Sequence, residues 1–188
     1  MASRLVPIEL FRGHWKALSD YRSETPTPDR ATRATLIIGP VAALVAMLLI
    51  PGAQLAAPGA LLSGVALLAG SFLAAWGQIS SMRLKLTDRM DLYGQTEQID
   101  RDALDESAAH LLVASLFSAA AALMLVLGMN FAADPKSGAI HGIFAALATG
   151  FASYVLLLFL IAVPRLYTAY VNLHAVRAAL NGTHKSHR

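Results

Sequence analysis

A long charge-free run from Ala34 to Met82 dominates the pattern of hydrophobic and polar positions. It is more than twice the roughly 20 residues that one helical membrane pass needs. Pro51-Gly52 and Pro58-Gly59 interrupt it with helix-breaking residues. The pattern therefore predicts a hairpin of two transmembrane helices, over Ala34–Ile50 and Leu61–Met82.

The second half of the chain repeats this layout. Leu111–Met129 and Gly142–Val163 are two further apolar runs, and a short, mostly polar loop over Asn130–His141 separates them. Each run is about long enough for one pass. We predict an all-α membrane protein with four transmembrane helices arranged as two hairpins.

The residues before the first pass have a helical amphipathic pattern. Pro7 is a favourable first-turn residue, and the apolar residues that follow share one face. They are Ile8, Phe11, Trp15, Leu18 and Tyr21. Two positions are open for this helix: it lies in the lipid headgroup layer, or it docks on the protein's own cytoplasmic surface.

Helical signals continue outside the membrane. No breaker follows Met82 before Gly94, acidic residues lead into the third pass, and the fourth continues beyond Pro164. The predicted segments are an N-terminal arm (1–33), a first hairpin (34–82), a connector (83–106), a second hairpin (107–164) and a basic C-terminal segment (165–188).

Composition and charge support the membrane assignment. The 188 residues are 56% hydrophobic and only 14% charged, against about 25% charged in soluble domains, and the mean hydropathy is +0.53. Of the 15 Lys and Arg, all but Lys136 lie in the arm, the connector or the C-terminal segment. The positive-inside rule then places both termini in the cytoplasm.

The second pass carries a regular stripe of small residues, at steps of three or four. They are Ser63, Ala66, Gly70, Ala74, Gly77 and Ser81. Small residues let helix backbones approach closely in a membrane. The stripe predicts packing within the chain, or else a contact between copies or the wall of a narrow pore.

Candidate catalytic chemistry is sparse. Cysteine is absent, which excludes disulfides and thiolate sites. Asp102, Glu106 and His110 share a helical face with the spacing of a divalent-metal site, but a solvated acidic turn, with Glu106 paired to His110 or a connector base, explains them better. We expect no enzyme activity, metal or cofactor. No Asp, Glu, Lys or Arg lies within the passes, which argues against proton-coupled transport.

Basic residues on the cytoplasmic side form a candidate ligand-binding face. Mixed with aromatic residues, and multiplied in an oligomer, they would attract a nucleotide or oligonucleotide; the positive-inside rule and lipid contact explain them as well. They are Arg12, Lys16, Arg22, Arg30, Arg33, Arg165 and Arg177.

With its four short uncharged passes, small-residue faces and basic cytoplasmic arms, the chain resembles in size and layout the small multi-helix membrane effectors of bacterial antiphage systems, including the membrane partner of the Hailong type. The resemblance implies a homo-oligomeric ion channel in the bacterial inner membrane. It also implies gating by a nucleotide from a partner nucleotidyltransferase and depolarisation of the infected cell. The alternative is a non-conducting accessory or assembly subunit of a larger membrane complex, which needs a foreign partner rather than copies of itself.

Overall fold

The computed structural model describes residues 8–20, 27–87 and 96–173, and these residues form five helices. A two-residue antiparallel pair, β1 (Ser19–Asp20) with β2 (Thr27–Pro28), lies between the first two helices. The helices are α1 (Ile8–Ala17), α2 (Arg30–Leu49), α3 (Pro58–Thr87), α4 (Thr96–Phe131) and α5 (Gly142–Leu173).

Four of these helices contain segments long and apolar enough to cross a membrane, and these properties indicate a multi-pass membrane protein. The helical extensions beyond the passes are also confirmed. α3 runs to Thr87, α4 begins at Thr96, and α5 continues through Pro164 to Leu173. The segments are Arg30–Leu49, Pro58–Leu84, Leu104–Phe131 and Gly142–Pro164.

The membrane helices pack as a row in the order α3, α4, α5, α2. α4 and α5 are central, and α3 and α2 form the two edges. The prediction of a first hairpin is not confirmed, because α2 packs on α5 and makes no substantial contact with α3. Leu36 of α2 and Phe72 of α3 belong to one buried cluster, which residues of α4 and α5 such as Val113 and Leu158 complete.

Glycines allow the closest approaches in this row. A Cβ added at Gly150 of α5 would lie 3.2 Å from Leu44 Cβ and 3.4 Å from the Pro40 carbonyl oxygen of α2. A Cβ at Gly39 would meet Leu157 Cδ1 at 2.9 Å. The α2–α5 contact therefore depends on glycine from both helices.

The loops that follow α2 and α4 are joined at one end of the row. Leu55 and Ile140 form an antiparallel bridge through two backbone hydrogen bonds, of 2.9 and 3.1 Å. Asp134 organises the second loop by accepting hydrogen bonds from the Lys136 N–H and the Ser137 hydroxyl. These bonds, the Lys136 N–H first, hold the pKa of the Asp134 carboxyl below its usual value.

Candidate functional site

The first helix docks on the protein's own surface, against α4. The predicted apolar face is only partly correct. Leu18 is buried and Phe11 stacks edge-on against Phe117, but Ile8 and Trp15 are exposed; Tyr21 lies outside the described residues. The packed face is rotated toward His14, which the sequence analysis did not single out.

His14 connects α1 to both central helices. Its Nδ1 lies 2.7 Å from His110 Nδ1 on α4, and its Nε2 lies 2.9 Å from the Tyr154 hydroxyl on α5. Both histidines are almost completely buried. A hydrogen bond between two Nδ1 atoms requires one ring to donate and the other to accept, and in either case the chain continues from His14 to the Tyr154 hydroxyl.

The carboxyl end of α1 is fixed by Arg33 from the first turns of α2. Arg33 donates hydrogen bonds to the carbonyl oxygens of Trp15, at 2.8 Å, and Leu18, at 3.2 Å. Its guanidinium also lies 5.5 Å from the centre of the Trp15 ring, within the range of a cation–π contact. Asp29 caps the start of α2 by accepting the Thr32 N–H, and its own N–H donates to the Leu18 carbonyl.

An open cleft of about 420 Å³ lies where α1, α4 and α5 meet. Ile8, Phe11 and Trp15 line it from α1, and Phe117 and Tyr154 line it from the central helices. Arg12 and His14 complete the lining. The cleft therefore combines largely apolar walls with one guanidinium.

The small-residue stripe of α3 faces away from the rest of the chain. α3 buries Val65, Phe72 and Ile79, at seven-residue spacing, and the stripe lies about half a helical turn from them. Among its six residues only Gly77 is half-buried; the others are exposed. A Cβ added at Gly70 or Gly77 would meet no atom within 4 Å. The stripe does not serve packing within the described part of the chain.

The predicted basic face is only partly visible. Arg12, Lys16 and Arg30 are exposed, whereas Arg33 is half-buried and engaged with α1. Arg22 and Arg177 lie outside the described residues, and of Arg165 only the backbone is described.

The acidic constellation is described only in part. His110 is bonded to His14, the side chain of Asp102 is not among those described, and no group of three possible ligands occurs within the described residues. The ion pair seen here joins Arg83 of α3 to Asp105 of α4, at 3.1 Å. It links α3 to α4 at the ends of their apolar segments.

Comparison of the chain with protein-family models, curated proteins and solved structures found no significant match. The four candidate spans indicate a multi-pass helical membrane protein, with an N-terminal helix docked on its central pair. Any more specific function has to be argued from the geometry.

Proposed function

We propose that the chain assembles with copies of itself through the outer face of α3 and that the assembly conducts ions. The observation that carries the proposal is the outward position of the small-residue stripe. In lipid, a stripe of Gly, Ala and Ser opposite the packed face of a helix gives close backbone contact to a second helix. No helix of the described chain uses it.

The order of the helices is compatible with a closed assembly. α3 and α2 are the two edges of the row, and only one side of each packs on a central helix. When α3 of one protomer packs on α2 of the next, the contact is head-to-tail, and it forms a ring if the rotation between successive protomers adds up to a full turn. Such a ring encloses a space between protomers.

The same face of α3 offers oxygen atoms to ions or water. Ser63 and Ser81 are exposed, and each hydroxyl donates to the carbonyl four residues earlier at 3.0 Å. Their oxygen lone pairs remain available as acceptors, and Gln78 beside the stripe is exposed as well. An uncharged path of this kind opens by small helix movements and closes by dewetting. The proposal includes gating by a nucleotide that binds the basic cytoplasmic arms.

The experiment measures the oligomeric mass and the ion flux of the same purified protein. The full chain is purified, its mass is measured in detergent, and flux is recorded in liposomes with and without cyclic oligonucleotides on the cytoplasmic side. Ala74→Leu places a large residue in the stripe, and Ala119→Leu makes the same change at an exposed position of α4. We expect Ala74→Leu to reduce both assembly and flux at least tenfold and Ala119→Leu to leave both within twofold.

Two results would contradict this proposal. If the wild-type chain is a monomer in detergent, the proposed self-assembly is wrong. If the chain forms a homo-oligomer that gives no ion flux with any nucleotide, the proposed conduction is wrong and the accessory-subunit alternative is favoured.

A further inference from the structure

The cleft between α1, α4 and α5 lies beside the apolar segment of α4, Leu104–Phe131, which is long enough to cross a membrane. His14 of α1 meets His110, and Phe11 meets Phe117, seven residues further along α4. That step is about 10 Å along the helix axis. Phe117 lies about 15 Å from Ser107, where the charge-free run of α4 begins. α1 therefore runs along the first half of this segment of α4, with its N-terminal end directed toward Phe117.

The walls of the cleft suit a hydrocarbon chain. Ile8, Phe11 and Phe117 present carbon atoms, and the polar atoms of His14 and Tyr154 are bonded to each other at 2.9 Å. The volume of about 420 Å³ is within the range of small-molecule sites, roughly 300–1,000 Å³.

The charge of the cleft selects among lipids. Arg12 is exposed and lines the cleft, and no ion pair to it is found within residues 8–20, 27–87 and 96–173. Lys16 is exposed one turn further along α1. A long cationic side chain beside apolar walls reaches toward the interface and attracts an anionic headgroup.

We propose that this cleft binds an anionic phospholipid, with one acyl chain along Phe11 and Phe117 and the phosphate against Arg12. The ligand is recognised by an apolar chain and a negative charge together. The site is formed within one protomer, so it does not depend on assembly or conduction.

The two tryptophans of the chain provide a matched test. Trp15 lines the cleft and is 37% exposed, whereas Trp76 lies on α3 and is 38% exposed. Trp76→Phe leaves Trp15 as the only indole, and Trp15→Phe leaves Trp76 as a control for bulk lipid. Both variants are reconstituted as full chains in phosphatidylcholine vesicles, in which brominated phosphatidylglycerol or brominated phosphatidylcholine is titrated as the quencher.

We expect Trp15 to prefer brominated phosphatidylglycerol about fivefold, the factor that one basic residue contributes for an anionic lipid. Trp76 should show a ratio near one. In the Trp76→Phe background, Arg12→Gln should abolish the preference and Arg12→Lys should retain it. Tryptophan emission and circular dichroism establish that each variant is folded.

Two outcomes would overturn the proposal. Equal quenching of Trp15 by both lipids means contact with bulk lipid only. Quenching of Trp15 by aqueous iodide and by neither lipid means that the cleft faces water.

Discussion

Replacing His14 with Phe tests the docking of α1 most directly. Phenylalanine keeps a planar ring of similar size, so most of the packing at this position is retained. The substitution removes the hydrogen bonds to His110 Nδ1 and to the Tyr154 hydroxyl. The change is confined to the contact between α1 and the two central helices.

The size of the effect follows from the two partners. A buried polar group that loses its hydrogen bond costs about 1–3 kcal/mol. Tyr154 is only half-buried and His110 takes part in a further interaction, so the low end of the range applies to each. We expect a loss of about 2 kcal/mol of docking free energy, which increases the undocked population of α1 about 30-fold. The comparison variant Tyr154→Phe removes one bond and should increase it about fivefold.

Amide hydrogen exchange of the full chain in nanodiscs measures this population, because exchange in α1 requires local opening. In His14→Phe the amides of α1 should exchange about 30-fold faster, whereas those of α4 between Leu111 and Leu125 should change less than twofold. If α1 keeps its wild-type protection, the histidine contact does not hold the helix. If α1 and α4 accelerate equally, α1 is part of the global fold rather than a separately docked element.

Three further predictions concern other parts of the fold. Gly150→Val should lower the free energy of unfolding by about 1–3 kcal/mol through overpacking, and with it the Tm, because the added Cβ would press on Leu44 and Pro40. Gly64→Val is the control, since a Cβ added there meets nothing within 4 Å, and it should leave the Tm within about two degrees of the wild type. Equal losses of Tm in the two variants would contradict the α2–α5 packing. Arg33→Gln should speed proteolysis after α1 at least threefold, because the hydrogen bonds to two carbonyl oxygens are lost. Arg30→Gln, at an exposed position, is the control. An unchanged rate of cleavage would show that these hydrogen bonds do not hold the end of α1. Asp134 has a lowered pKa in the folded loop, so its contribution to loop stability is complete above the usual pKa of 3.8 and is lost as the pH falls through the lower folded value. The amide resonance of Gly138 should shift with this loss in the wild type and not in Asp134→Asn. A transition in both proteins would assign the titration to another group.

The spans and their helical extensions could be predicted from the sequence because their signals are local. An uncharged run of some 20 residues, or a stretch without Pro and Gly, specifies a helix whatever it packs against. The order of the helices has no such signal. All four are apolar around most of their circumference, and Gly39 and Gly150, which permit the α2–α5 contact, do not stand out from other glycines in a membrane chain.

The His14 contact was missed for a related reason. His14 and His110 are 96 residues apart, and no spacing rule connects them. A signal was nevertheless present, since His14 lies on the same helical face as Phe11 and Leu18, and a polar residue on an apolar face needs a partner. The interpretation of Asp102, Glu106 and His110 sought partners within this set or among the connector bases, and not on α1.

The order of the row also constrains how the protein is made. A chain emerges from the ribosome with its N-terminus first, so α2 enters the membrane before the helix on which it packs has been translated. Its partner, α5, is the last pass, and the bridge between Leu55 and Ile140 joins loops on either side of α3 and α4. Until synthesis reaches α5, the side of α2 that carries Gly39 faces lipid or the insertion machinery. A nascent chain that stops after α4 has three passes and no completed row.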